Sequence, residues 1–206
     1  MGSGTVFSLH YGAGNHVALR RSIFSSFALI GIVTLILNVV VFIWLDPILR
    51  LLQVPQDIYG MMRSYLWIIF CGIVFTFIYN FYASLLRAVG DSVTPIWFLA
   101  VSVVLNIALD LFFILQLDWG IQGAAAATVL AQGVAALGII IYTYRRRPEL
   151  RWHHEDMCFD RTCLKEIASF STLTCVQQSV MNLGILMIQG LVNSFGTAVM
   201  AAFAAA

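Results

Sequence analysis

Ile96-Trp-Phe-Leu-Ala-Val-Ser102-Val-Val-Leu-Asn106-Ile-Ala-Leu-Asp110-Leu-Phe-Phe-Ile-Leu-Gln-Leu117 decides the fold. As a helix rising about 1.5 Å per residue, it is long enough to cross a hydrocarbon core about 30 Å thick. Comparable runs recur at 24–45, 65–86, 121–143 and 168–190, and another begins near Gly196. The whole chain is 61% hydrophobic and 10% charged, against roughly 45–50% and about 25% in soluble domains. A water-soluble chain of this length could not hide so much apolar surface. The reading is an all-α, polytopic membrane protein.

The net charge of +1 is uninformative, but its distribution is not. With the segment before Phe24 in the cytoplasm, Arg20, Arg21, Arg87, Arg145, Arg146, Arg147, Arg151, Arg161 and Lys165 fall on that side. Only Arg50 and Arg63 fall outside, so the positive-inside rule fixes the orientation. Residues 1–23 and 144–166 are then cytoplasmic. The Arg145–Arg147 run is a membrane-flanking cluster, and no nucleic-acid partner is expected. His153, His154, Cys158 and Cys163 match no usual zinc spacing. Cys71 and Cys175 read as small apolar residues within spans.

Local signals refine the plan. Pro47 and Pro55 bracket Ile48, Leu49, Leu51 and Leu52, which predicts a short interfacial turn of helix ahead of the second span. Thr94 and Pro95 predict a helix start with Thr as N-cap and Pro in first position. Asp118-Trp119-Gly120 predicts a tight outer turn. Gly123-Ala-Ala-Ala-Ala127 is a surface for close helix packing. At the end of 144–166, Leu164, Ile167 and Ala168 form an apolar side opposite Arg161 and Lys165.

Asp110 is the only carboxylate inside any of these apolar runs. A charge in lipid costs at least a few kcal/mol, so an ionisable residue there is a functional candidate. Ser102, Asn106 and Asp110 are four apart and line one face of their helix. Counting from span centres, Asp110 lies about 6 Å outward of its midpoint, and Asn38 and Thr128 fall at nearly the same level. A carboxylate, amide oxygens and a hydroxyl are hard ligands that suit Na⁺. They suit equally a proton taken up by a desolvated carboxylate. For Asn38 the alternative role, bonding helices together, weighs more. Asn80 falls about 6–7 Å on the cytoplasmic side and is a weaker cation-site candidate. Gln177, Gln178 and Asn182 form a polar patch that either lines a cavity or packs the bundle. No paired catalytic groups occur within the spans, so the chain does not read as an enzyme.

Several segments in order carry a resemblance: Tyr11-Gly-Ala-Gly14, Leu86-Arg-Ala-Val-Gly90-Asp91-Ser-Val-Thr-Pro95, Asn106-Ile-Ala-Leu-Asp110-Leu-Phe112, Gly120-Ile-Gln-Gly123-Ala-Ala-Ala-Ala-Thr128 and Gly196-Thr-Ala-Val-Met-Ala-Ala202. The chain resembles a bacterial member of the multidrug and toxic compound extrusion (MATE) family of cation-coupled exporters. The resemblance implies a twelve-helix bundle of two six-helix lobes that rock to expose a central cavity alternately. It implies export of amphipathic, often cationic compounds, driven by inward return of Na⁺ or H⁺ and needing no cofactor. In such proteins an Asn and an Asp four apart on helix five, with a Thr on helix six, take part in the N-lobe cation site. These fall on Asn106, Asp110 and Thr128.

By the same resemblance the chain covers family helices 3 to 7 and the start of helix 8. Residues 1–23 are the end of helix 2 and a cytoplasmic loop, and 24–143 are four N-lobe spans. Residues 144–166 are the inter-lobe linker, and 167–206 hold one full and one truncated C-lobe span. The expectation is a fragment of a transporter that is monomeric when complete, in contact with membrane lipid and small organic substrates. Helix one, and the acid it contributes, would lie outside the chain. Leu173 stands where the family often has proline, and Met181 about where some subfamilies have an acid. Two alternatives remain. One is a lipid-linked oligosaccharide flippase of the same superfamily, which a basic cavity would favour and these spans lack. The other is a membrane remnant that transports nothing.

Overall fold

The computed structural model describes residues 2–51, 56–150 and 161–194, and among these there is no strand. Six α-helices follow in order: α1 (Gly2–Gly12), α2 (His16–Leu51), α3 (Gln56–Ala88), α4 (Val93–Leu111), α5 (Gly120–Arg146) and α6 (Arg161–Ser194). A π-helical turn, Phe112–Gln116, extends α4, and a 3₁₀ turn, Pro148–Leu150, follows α5. Four elements are long and apolar enough to span a membrane: His16–Leu49, Ile58–Ala88, Val93–Gln116 and Gly120–Arg146. Three of them contain the sequence-derived spans 24–45, 65–86 and 121–143, and the other covers 96–117 up to Gln116. The helices run on past those spans because their polar flanks stay helical into the headgroup zone.

The fifth expected span, 168–190, lies within α6, whose 34 residues would reach about 51 Å. It does not join the apolar four, since Gln177, Gln178 and Asn182 dilute its centre. The span expected from Gly196 lies outside the described residues, as do His153, His154 and Cys158.

Two cytoplasmic corners use one device. At the end of α3, Gly90 adopts φ 89°, Asp91 N–H donates to Leu86 O at 2.9 Å and Gly90 N–H to Arg87 O at 3.2 Å. That is a Schellman ending, which needs a residue free to enter the left-handed region. The Asp91 carboxylate then accepts from Thr94 N–H at 3.1 Å and from Thr94 Oγ1 at 2.8 Å, capping α4. Gly14 (φ 67°) and Asn15 repeat this between α1 and α2. Asn15 N–H donates to His10 O at 3.1 Å, and Asn15 Oδ1 accepts from Ala18 N–H at 3.1 Å.

Three expectations need correction. Thr94 is not the N-cap: α4 starts at Val93 after Ser92, whose side chain makes no capping bond, and the Asp91 carboxylate accepts from Thr94 N–H in its place. Pro47 does not separate a short turn; α2 runs through it to Leu51. Proline there forgoes one backbone hydrogen bond, a loss that membrane helices tolerate. Of the apolar side expected near 164–168, Ile167 is fully buried and Leu164 half-buried, but Ala168 is exposed. The Asp118–Gly120 outer turn is present, with φ 52° at Asp118 and 54° at Gly120.

The core sits at the cytoplasmic ends of the helices. Phe7 of α1, Leu19 and Ile23 of α2, Leu85 and Leu86 of α3 and Ile139 of α5 are wholly enclosed there, with Leu150 closing the base. Higher up, α3 and α5 pack closely. Gly123, Ala125, Ala127, Ala131 and Ala135 are buried along α5, and a Cβ at Gly72 of α3 would collide with the Val129 side chain. At the outer end, Asp46 of α2 accepts from Arg63 Nε at 2.8 Å and from Tyr59 Oη at 2.9 Å, tying α2 to α3.

Candidate functional site

Helix α4 turns its polar residues inward. Ile96, Trp97, Val101, Val104, Ile107 and Leu111 are exposed, as a lipid-facing side would be, while Ser102 is buried and Asn106 and Asp110 are half-buried. Its packing partners are α3 and α5. The Asn106 amide donates from Nδ2 to Thr128 Oγ1 at 3.3 Å, and the Thr128 hydroxyl donates to Ala124 O at 3.0 Å. That directionality leaves the amide oxygen of Asn106 free to accept or ligate. One turn outward, Asp110 Oδ1 is enclosed and has no hydrogen-bond partner. A carboxylate oxygen in that state is expensive, since burial removes water and nothing replaces it.

A polar column continues toward the cytoplasm. Thr76 Oγ1 of α3 donates to Gln132 Oε1 of α5. Asn80 lies one turn further along α3, with Nδ2 bonded to Thr76 O at 2.8 Å. Thr76, Asn80, Ser102 and Gln132 line a cavity of about 200 Å³ between α3, α4 and α5, with Tyr79, Leu99 and Ala135. A second cavity of about 290 Å³ on the other side of α3 is also bounded by Thr76 and Asn80, with Ser3, Thr34 and Ser84. Each helix thus supplies polar groups four residues apart: Thr76 and Asn80, Ser102 with Asn106 and Asp110, Thr128 and Gln132.

Of the residues singled out in the sequence, Asn106 and Thr128 are hydrogen-bonded, Asp110 lies one turn further along α4, and Asn80 lines the cavity that Ser102 of α4 also borders. Asn38 joins none of them: its Nδ2 donates to Phe70 O of α3 at 2.8 Å, and α2 packs on neither α4 nor α5. It bonds helix to helix. Gln177, Gln178 and Asn182 are exposed on α6, where Gln178 Nε2 donates to Asn182 Oδ1 at 3.4 Å. Thr76 and Gln132 escaped the sequence reading. Their signal was the four-residue spacing from Asn80 and Thr128.

Near the cytoplasmic end, Asp91 is held by more than its cap. Partial burial alone would raise its carboxyl. The Thr94 donors, the Tyr142 hydroxyl and the nearby Arg147 together outweigh that and hold it below the ordinary carboxylate value.

Residues 1–112 match the MatE family model. The chain is 35% identical over 167 residues to the probable multidrug resistance protein YpnP of Bacillus subtilis, covering 78% of this chain and 36% of that protein. It is 28% identical over 209 residues to the probable multidrug resistance protein YoeA of the same organism, covering 98% of this chain and 45% of the relative. Among solved structures, the Vibrio cholerae MATE transporter VcmN in its bent form superposes with a TM-score of 0.85 at 26% identity. The match covers 98% of this chain and 46% of VcmN. The chain spans less than half the length of each of these proteins.

Proposed function

This chain belongs to the MATE family and is a multi-pass membrane protein, and on that footing we propose that it is part of a cation-coupled exporter of amphipathic organic compounds. The carrying observation is the enclosed, unpartnered Oδ1 of Asp110, one turn from the Asn106–Thr128 hydrogen bond. A carboxylate without a partner, beside a free amide oxygen and a hydroxyl, is poised to take up Na⁺ or H⁺. Asp110, Asn106 and Thr128 hold the ion, and Asn80 lines the polar cavity beneath it. The multidrug resistance names of the relatives support small organic substrates, with return of the ion driving their export.

In this reading 24–143 form four spans of one lobe, 144–166 link the lobes, and 167–206 begin the second lobe. The lobes move relative to one another to give alternating access. The test is Asp110→Asn in the full-length transporter, expressed in cells and assayed for ion-driven export of a cationic dye. Export is lost while the protein still reaches the membrane. Dye export at the wild-type rate would overturn the assignment of Asp110.

A further inference from the structure

One row of α4 reads Asp110, Asn106, Ser102, Phe98 and Thr94, four residues apart throughout, with Asp91 in the corner before the helix. From Asp110 to Asp91 the row covers about 28 Å. Helix α5 meets it level by level. Asn106 bonds Thr128, and Ser102 shares its cavity with Gln132 and Ala135. Phe98 lies on Gly138, where a Cβ would come 2.7 Å from Phe98 Cε1. The Phe98 ring also meets the Tyr142 ring edge to face, with centroids 6.1 Å apart, and the Tyr142 hydroxyl donates to Asp91 Oδ2 at 3.4 Å.

The row is polar from Asp110 down to the cavity and polar again from Thr94 to the cytoplasm. Only Phe98 interrupts it. The cavity, about 200 Å³ with Thr76, Asn80, Ser102 and Gln132 in its wall, has the room and the partners to hold water. Tyr79, which also lines it, donates its hydroxyl to Pro95 O at 2.8 Å, so polar groups stand on both sides of the phenyl ring. Neither 91–110 of α4 and its corner nor 128–142 of α5 carries a Lys or Arg. Acids at the two ends, neutral oxygens between them and no fixed positive charge suit a monovalent cation. A face that served packing alone would carry aliphatic residues here, as the other side of α4 does at Val101, Val104 and Ile107. Gly138 leaves the seam open at one level, and the ring of Phe98 fills it there.

We propose that the seam between α4 and α5 is the route by which the coupling cation leaves Asp110 for the cytoplasm, and that Phe98 seated on Gly138 is its barrier. The inference rests on the reading of Asp110 as the ion site. The cation, Na⁺ or a proton carried along water, passes Asn106 and Thr128 into the cavity and waits there. It goes on to the Asp91 corner when the Phe98 ring swings off Gly138. Phe98 is only half-buried, so the ring has a free side to move toward. A route inside one lobe keeps the ion apart from the organic substrate: the ion is discharged without entering the space through which the substrate is exported.

The experiment uses the full-length transporter in proteoliposomes without substrate. Ion-sensitive dyes trapped inside follow the decay of an imposed Na⁺ gradient and of an imposed pH gradient. Unmodified protein should hold both. Phe98→Ala should speed the decay of one of them at least tenfold, and which one it is identifies the ion. Adding Gly138→Leu to Phe98→Ala puts a side chain into the vacated space and should return the rate close to that of unmodified protein. Adding Asp110→Asn instead should also stop the leak, because the ion then has no site from which to enter the seam. Phe98→Leu, a milder change, should leak several-fold and decides the matter if the alanine variant does not insert. Gradients held as well by the Phe98 variants as by unmodified protein, a leak untouched by Gly138→Leu, or a leak that survives Asp110→Asn would each overturn the passage. If the unmodified protein exports no cationic dye, the transporter reading fails. The leak, its sealing by Gly138→Leu and its dependence on Asp110 still decide the seam.

Discussion

Gly72→Ala sets two effects of known sign against each other. In a helix, alanine is worth about 0.5–1 kcal/mol more than glycine, so the substitution would stabilise α3 if nothing stood nearby. Something does: the new Cβ would lie 3.1 Å from Val129 Cγ1, 3.2 Å from Val129 Cβ and closer still to Cγ2. Valine cannot turn away, because a β-branched side chain in a helix has one strongly preferred rotamer. α3 and α5 must therefore separate, and overpacking of this kind costs about 1–3 kcal/mol. The clash outweighs the propensity gain, and the net expectation is a loss of about 1–2 kcal/mol. Val129→Ala on its own removes packing and also destabilises. In the double variant it clears the space, so the pair should be more stable than the sum of the singles by about 1 kcal/mol or more. The assay is equilibrium unfolding of the purified full-length protein in mixed detergent, followed by tryptophan fluorescence. Gly72→Ala protein as stable as wild type, or no compensation from Val129→Ala, would refute the close approach of α3 and α5. The site shares that interface, since Thr76 and Gln132 lie one turn away on the same two helices.

Asp91→Ala should cost about 0.5–2 kcal/mol through loss of the α4 cap, and Asp91→Asn only a few tenths, because asparagine caps nearly as well. The folded protein holds the Asp91 carboxyl below its usual value. Its contribution is therefore full above the unfolded value of about 4 and lost as pH falls through the folded one. Acid unfolding curves should flatten there in Asp91→Asn. A double-mutant cycle of Asn106→Leu and Thr128→Val, in the same detergent assay, should show coupling of about 0.6 kcal/mol and no more than about 1.7. Zero coupling would mean that the 3.3 Å bond does not form. Arg63→Ala should cost less than about 1 kcal/mol and lose that effect at high salt, because Arg63 and Asp46 are 50% and 44% exposed.

How much of this was legible in the sequence follows from which forces act locally. The apolar runs gave the spans because lipid demands uninterrupted helix, and the cost of a lone carboxylate drew attention to Asp110. Depth along the helices put Thr128 level with Asp110, whereas its side-chain bond is to Asn106, one turn nearer the midpoint of α4. Depth says nothing about azimuth, and so Asn38, at the right level, turned out to bond α3 instead. Thr76 and Gln132 were passed over because a lone Thr or Gln in an apolar run looks ordinary until the facing helix is known. Pro47 misled because a rule drawn from water-soluble helices was carried into lipid, where the helix has no alternative partner for its backbone. The Gly90–Asp91 corner was readable as a motif. Only the observed bonds show that one glycine ends a helix and the next residue begins another.

The outer corner at Asp118–Gly120 bears on how the chain enters the membrane during synthesis. Within the apolar α4, Asp110 is the one residue that works strongly against insertion, at a cost that would reach about 2.5–3.5 kcal/mol at the centre of the bilayer. The corner is so short that α5 must emerge beside α4 as soon as it is translated. The two can then leave the insertion machinery as a helical hairpin, with Asn106 and Thr128 already facing each other and the aspartate turned away from the acyl chains. The tight turn therefore bears on biosynthesis as well as connection: lengthening it would leave Asp110 for longer without the helix that shields it.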